Sequence, residues 1–557
     1  MITQRPTSPI SPNLPKVDRR TLIGAAMFGT AFAAVPLAAQ QSAGGFTHSV
    51  ASGEPGANSV LLWTRYVHGA DAATLTFEVA EDIEFSRVVS GGTAEASRTR
   101  DFCAKATAEG LSPDRWYYYR FVAESGAVSP TGRTRTLPEG PSARFRLAVV
   151  GCSNIGFGWF NAYAHIAQAD DVDLIVHTGD YLYEYGTGVY PSAKQELAGR
   201  ETAPQTEIVA LADYRTRYAS YRADTDLQRL HQLFPMIAVP DDHESANDSY
   251  VDGAENHQPA SEGSWGVRKA AAMQAYREWL PISDEPWAAY DIGDLATLFR
   301  LETRVTARSK PFDLGAVIKR GDGDPARIQA AFEAFRDDEW RDPSRTLMGT
   351  AQEAWLAEGM KRSRNSGKVW QVLAQQVLMT SLSTSDAVLD GVNAQFPAYI
   401  RTLLENSVAA SKAGLPFNMD AWDGYPAARE RLLGSAQEAE ANLIVLAGDS
   451  HNAWASDLTN MGAGAGVEFA GHSVSSPGFE NTLPWIKAQD LAADSVARNA
   501  QLKWAETSQR GYMAVELTPT RATSEYRFLN SIKVRSATLA SAKRISTEAG
   551  SQKLDIG

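Results

Sequence analysis

The stretch Val172-Asp173-Leu174-Ile175-Val176-His177-Thr178-Gly179-Asp180, residues 172–180, decides how the rest of the chain is read. A short apolar run, Val172 to Val176, stops abruptly at polar residues, which is the signature of a buried strand bounded by a turn. Three further runs stop the same way. Arg144 to Val150 leads into Gly151-Cys152-Ser153-Asn154, Phe234 to Val239 into Pro240-Asp241-Asp242-His243-Glu244, and Leu443 to Ala447 into Gly448-Asp449-Ser450-His451-Asn452. Helical patterns lie between them, as at Val209 to Leu233 and Gly266 to Leu280. Strands alternating with helices predict an α/β layer structure, and such folds place their chemistry at the C-terminal ends of strands. No internal repeat is present.

Upstream, from Phe46 to about Pro138, the pattern is different. Val60-Leu61-Leu62-Trp63-Thr64-Arg65, Leu75-Thr76-Phe77-Glu78-Val79 and the aromatic run Trp116 to Val122 are strand-forming, separated by Gly, Pro, Asp and Ser clusters. They predict a small antiparallel, Fn3-like β-sandwich over 45–138 with no catalytic residues of its own. Pro138-Glu139-Gly140-Pro141 marks the boundary to a catalytic region over 139–535. Residues 536–557, rich in Ser, Ala and Lys, read as a loosely held tail or a terminal helix.

Residues 1–44 are an address. Arg19-Arg20 precede Thr21-Leu22-Ile23 and an apolar, Ala-rich run from Gly24 to Ala39, of signal-peptide length and too short for a membrane span. Paired arginines before a mildly apolar run match a twin-arginine export signal, with a Sec signal or an uncleaved anchor as alternatives. The expectation is a periplasmic or secreted protein that meets the twin-arginine translocase on export. The whole chain has 557 residues and a formal net charge of -13, the wrong sign for a general nucleic-acid binder. Two cysteines, Cys103 and Cys152, build no disulfide scaffold.

One Asp at one strand end is usually a structural cap. Four strand ends that together offer Cys152, Asp180, Tyr183, Asp242, His243, Asp449 and His451 point instead to a metal centre. Two cations held a few ångströms apart suit phosphoester hydrolysis, because they neutralise charge on both the attacking and the leaving oxygen.

Gly179-Asp180-Tyr181-Leu182-Tyr183-Glu184, Asp241-Asp242-His243-Glu244 and Gly448-Asp449-Ser450-His451 resemble the metal blocks of the PhoD-like alkaline phosphatases, a branch of the metallophosphatases. Phe46 to Pro55 with Leu62-Trp63-Thr64-Arg65 resembles that family's N-terminal sandwich. Leu211 to Tyr218, Trp422 to Pro426 and Arg510-Gly511-Tyr512 resemble further family blocks, so the resemblance spans roughly 46–530. It implies a metallophosphatase-like αββα core and an exported phosphoester hydrolase using Fe³⁺ and Ca²⁺ in a dinuclear or trinuclear centre. Cys152 stands where ordinary metallophosphatases open with Asp-x-His and would bind as thiolate, Tyr183 as phenolate, and Asp180 as the bridging carboxylate. Asp242 takes the Asn position of the common Gly-Asn-His block, and His243 follows as general acid or phosphate contact. Asp449 and His451 fill the last two ligand positions.

Two positions depart from the pattern: Pro240 stands where Trp is expected, and Glu302 in Leu301-Glu302-Thr303-Arg304 where Asp is usual. Arg304 and Arg308 are either contacts to phosphate oxygens, which guanidinium matches, or members of an ion pair with Glu302. Asn154 either bonds phosphate or caps a helix, and Glu244 is either a partner of His243 or a ligand. His177 reads as a satisfied core histidine, His165 and His231 as structural or surface, and Trp454 as pocket wall or packing. A Cys103–Cys152 disulfide would consume an expected ligand. The substrates expected are small phosphoesters, monoester or diester, or lipid or teichoic-type phosphoesters. Competing functions are a phospholipase D-like phosphodiesterase and, from another class, an extracytoplasmic ligand-binding protein with structural metals. Specific nucleic-acid binding is not expected, although an extracellular nuclease is compatible with such a site.

Overall fold

The computed structural model describes residues 44–392, 398–416 and 418–557. The export signal read at 1–44 lies, apart from its last residue, outside the described residues. Strands β1 (Gly45–Gly53), β2 (Val60–Val67), β3 (Ala72–Ala80), β4 (Val88–Ser97), β5 (Cys103–Ala108), β6 (Trp116–Ala123) and β7 (Gly132–Arg135) come first. There follow β8 (Phe145–Val150), β9 (Leu174–His177), β10 (Pro235–Ala238), β11 (Ala288–Ile292), β12 (Ala296–Arg300), β13 (Trp370–Ala374) and β14 (Leu443–Ala447). The last are β15 (Ala453–Asn460), β16 (Ala463–Ala470), β17 (Leu502–Glu506), β18 (Gly511–Leu517), β19 (Arg521–Leu529), β20 (Leu539–Glu548) and β21 (Leu554–Asp555).

Among the described residues these strands make a ten-stranded sheet, β21-β20-β19-β18-β8-β9-β10-β1-β2-β5, a seven-stranded sheet, β11-β12-β13-β14-β16-β15-β17, and a four-stranded sheet, β4-β3-β6-β7. The two large sheets face each other. Period-two alternation sorts their side chains: Leu147, Val149, Leu174 and Val176 meet Leu298, Val372, Ile444 and Leu446 between the sheets. Ala148, Val150 and Ile175 point the other way, under α1 (Asn161–Ala169), α2 (Leu211–Arg222), α3 (Thr225–Leu233) and α4 (Trp265–Trp279). Leu443, Val445 and Ala447 lie under α5 (Gly349–Asn365) and α6 (Pro426–Glu438). The result is the expected αββα sandwich.

The N-terminal strands form a sandwich too: β1-β2-β5 faces β4-β3-β6-β7 across Val50, Leu62, Leu75, Phe77, Tyr119 and Phe121. It is not an appendage. β1 pairs in parallel with β10, Ser52 opposite Pro235 and Gly53 opposite Met236, so half the sandwich extends the sheet that carries the site. Trp63 Nε1 donates to the Glu278 carbonyl at 2.8 Å and Lys105 Nζ to the Ile282 carbonyl at 2.7 Å, which ties the sandwich to the end of α4.

Two expectations are corrected. Residues 536–557 are neither loose tail nor helix: β20 pairs antiparallel with β19 along its length and β21 pairs with β20. The helical pattern at Val209 to Leu233 is broken at Asp224, whose side chain caps α3 by accepting the N–H groups of Asp226 and Leu227. Among the described residues no helix is long and apolar enough to cross a membrane.

Candidate metal centre

The loops leaving β8, β9, β10 and β14 bring their polar residues together at one end of the facing sheets. Cys152, Asp180, Asp449 and His451 sit in these loops at φ of 56°, 53°, 61° and 59°. Left-handed backbone at a residue other than glycine costs roughly 1–2 kcal/mol. Such strain persists where the surroundings over-determine it, and it gathers at functional sites. The β9 and β10 loops touch at Gly179, which has φ 103°; a Cβ there would stand 2.3 Å from Asp241 Cβ.

Among the described residues three donor groups result: Cys152–Asp180–His451, Asp180–Asp242–His243 and Asp241–Asp242–Asp449, each with its ligand atoms within 4.8 Å of one another. Asp180 belongs to the first two and Asp242 to the last two, so shared carboxylates link the groups. The Tyr183 hydroxyl lies 3.0 Å from Asp180 Oδ2 and 3.1 Å from His451 Nε2, and accepts from Ser476 Oγ at 2.7 Å. His451 Nδ1 donates to the Pro477 carbonyl at 2.9 Å, which leaves Nε2 bare and facing Tyr183. His243 Nδ1 is 2.6 Å from Glu184 Oε2, while Glu184 Oε1 accepts from Asn247 N and Asn256 Nδ2, each at 2.8 Å. The Tyr183 ring lies 4.2 Å from the His243 ring. Cys152, Asp180, Asp241 and Asp242 are buried, whereas the Asp449 and His451 side chains keep 18% and 15% exposure and mark the solvent side.

These residues fit cations. Asp180 Oδ1 and Asp241 Oδ2 are buried with no hydrogen-bond partner, an arrangement that is costly unless a positive charge meets them. Burial, and then Asp180, hold the Cys152 thiol and the Tyr183 hydroxyl well above their usual values. Burial pushes Asp180 up as well, with Asp241, Asp242 and Glu244 adding to it and His243 opposing. It takes Asp241 to about 8 against the pull of Arg304. A cation among them favours every ionised form at once. Thiolate, phenolate, carboxylate and imidazole suit a transition metal, and the clustered carboxylates suit a hard divalent ion.

Arg304 and Arg308 are fully buried and turned into this cluster. The Arg304 guanidinium meets Asp241 and Asp420 closely, Asp449 at 3.2 Å and Asp242 at 3.8 Å. Arg308 meets the Asp420 carboxylate at 3.2 Å and also donates to the Asp420 carbonyl. Both arginines meet carboxylates but neither pairs with Glu302, which serves the backbone, accepting the N–H groups of Arg304, Val305 and Thr306. Arg304→Ala therefore leaves buried acids uncompensated. A loss of about 3–5 kcal/mol is expected in urea unfolding of the metal-stripped protein.

Asn154 serves its own loop rather than capping a helix: Oδ1 accepts Gly156 N–H at 3.0 Å and Nδ2 donates one N–H to the Tyr190 carbonyl at 3.3 Å. His177, His231 and His165 are held by the hydroxyls of Tyr163, Tyr181 and Tyr512, respectively. Cys103 and Cys152 are both free thiols, so there is no disulfide between them. Trp454 packs in the layer under α6 and donates to Ser450 Oγ at 2.8 Å, steadying the last ligand loop. The residues not foreseen are Asp241, Glu184, Ser476 and Asp420. The first two sit inside the quoted blocks, Asp241 beside Asp242 and Glu184 beside Tyr183, where an acid next to an expected ligand is a usable signal; the last two lie on loops that only the tertiary fold brings in.

The pattern of the PhoD-like phosphatases matches residues 147–526, and that of their N-terminal domain matches residues 30–138. Alkaline phosphatase D of Bacillus subtilis (strain 168) is 32% identical over 513 residues, 87% of this chain and 77% of that protein. The solved structure of PhoD superposes with a TM-score of 0.74 at 28% identity and covers 92% of each chain. With this coverage, and with the quoted blocks converging at one site, the chain belongs to the PhoD-like phosphatase family and is a phosphoester hydrolase.

Proposed function

We propose that the protein is an exported, metal-dependent phosphoester hydrolase whose centre is organised on Asp180. The observation that carries this is the Asp180 carboxylate itself: it is shared between two donor groups and keeps a buried oxygen without a hydrogen-bond partner. Cys152, Tyr183 and His451 join Asp180 as the set for Fe³⁺, while Asp180 also reaches Asp242, which with Asp449 and Asp241 Oδ2 completes the set for Ca²⁺. Bound cations would supply charge to the phosphoryl oxygens and a more acidic attacking water. Ser476 and Pro477 orient Tyr183 and His451. Glu184 occupies Nδ1 of His243, which leaves Nε2 to hold a proton at the leaving oxygen. Arg304 and Arg308 keep the carboxylates together. The substrate class is a small phosphoester or an exposed lipid or teichoic headgroup. The test is turnover of p-nitrophenyl phosphate, bis-p-nitrophenyl phosphate and phosphatidylcholine before and after chelation. Loss on stripping and recovery with iron plus calcium support the proposal, whereas chelator-resistant turnover contradicts it.

Export by the twin-arginine route belongs to the same proposal. That route carries folded protein, so the centre can be loaded before the chain meets competing ions. Arg19→Lys with Arg20→Lys is expected to strand the precursor in the cytoplasm, as read by cell fractionation; normal export of the double variant would rule the route out.

A further inference from the structure

Glu244 is fully buried two residues after Asp242, yet it neither faces His243 nor joins a donor group. Its carboxylate accepts three backbone N–H groups: Tyr181 at 2.5 Å, Asp241 at 2.6 Å and Asp180 at 3.2 Å. Two of these donors belong to the loop after β9 and one to the loop after β10. We infer that Glu244 is a positioning residue that staples these two loops together and so sets the spacing between the Asp180 and Asp242 carboxylates. The inference rests on the metal-dependent reading above.

The placement is electrostatically expensive, since Glu244 adds another buried acid beside Asp180 and Asp241. Three N–H donors aimed at one carboxylate offset that cost, charge-assisted bonds being roughly twice as strong as neutral ones. The staple also acts on strained backbone: Asp180 gives its N–H to Glu244 while holding φ 53°. The loops are already in contact at Gly179, so slack in one shifts the other. Glutamine has the same shape, but only one of its two terminal atoms accepts. Its NH₂ group must face a backbone N–H, and at least one donor is left unmet.

Glu468 provides the control. It too is fully buried and accepts Met379 N at 2.7 Å, Thr380 N at 2.9 Å and Thr380 Oγ1 at 2.5 Å, on a segment that carries none of the ligands. The full-length chain is compared with Glu244→Gln, Glu244→Asp and Glu468→Gln. Iron and calcium affinity is read by chelator competition and thermal stability is read after metal stripping. Glu244→Gln is expected to lose on the order of 10–100-fold in metal affinity. Its metal-free melting temperature should fall no further than that of Glu468→Gln, which keeps parental affinity. Glu244→Asp keeps the charge but shortens the reach; an intermediate loss is expected, and it carries the test if the glutamine variant does not fold. Parental affinity in both Glu244 variants would overturn the inference alone, as would equal affinity loss in Glu468→Gln. A parent chain that takes up no metal would overturn it together with the reading beneath it.

Discussion

Asp180→Ala is expected to abolish hydrolysis and to empty the centre of metal. A carboxylate shared between two donor groups cannot be lost from one site only, so both cations go together. Metal ions contribute several kcal/mol of transition-state charge stabilisation. At 1.36 kcal/mol per tenfold, that corresponds to a fall of about 10³-fold or more in turnover. The metal-free protein should respond in the opposite sense. Burial and neighbouring acids hold the Asp180 carboxyl well above its unfolded value. An acid raised in the folded state costs stability at every pH above its unfolded pKa, so at pH 7 removing it relieves the metal-stripped chain. Activity lost without a loss of metal-free stability separates a ligand from a packing residue. His165→Ala, which removes a bond to the Tyr512 hydroxyl and a ring contact away from the donor groups, should leave turnover near parental. Near-normal activity and metal content in Asp180→Ala would remove the assignment.

The second large effect is spectroscopic. Tyr183 and Cys152 bring a phenol and a thiol, which would bind iron as phenolate and thiolate, to the same group as Asp180 and His451. A hard oxygen donor with an added negative charge favours Fe³⁺ over Zn²⁺. Both donors are held above their usual pKa, so only a strongly charged cation ionises them at working pH. The purified enzyme is expected to be coloured by ligand-to-iron charge transfer. Tyr183→Phe should bleach or shift that band, Cys152→Ser should change it separately, and calcium chelation should stop turnover while leaving most of the colour. A colourless, iron-free protein with full activity would point to a zinc or zinc–magnesium centre instead.

The parts of the centre legible in the sequence are those written locally. A buried strand stopping at Gly-Cys, Gly-Asp or Pro-Asp is a pattern within a dozen residues, and four such endings bring Cys152, Asp180, Asp242, Asp449 and His451 into one candidate set. Residues that act from loops without a strand signature were not legible. Asp420 and Ser476 reach the site only because the sheets face each other. The arginines show another limit of a local reading: guanidinium beside a phosphoester site suggests substrate contact, and nothing nearby in the sequence shows that Arg304 also meets four acids, Asp241, Asp242, Asp420 and Asp449. Strand β20 is not legible because half its residues are exposed and Ile545 is its one buried apolar residue, so no apolar alternation marks it. Its pairing with β19 decides its structure. The break at Asp224 was readable in principle, since Asp224 stands directly before the helical run it caps.

Whether Asp180 joins two cation sites built from these donors is read from an anomalous-difference map of crystals of the active enzyme, collected on both sides of the iron edge. An iron peak enclosed by Cys152 Sγ, the Asp180 carboxylate, the Tyr183 hydroxyl and His451 Nε2, with a second, non-iron peak on the Asp242 and Asp449 side, is the predicted result. Active crystals with no metal peak at Asp180, or with iron bound elsewhere, would contradict it.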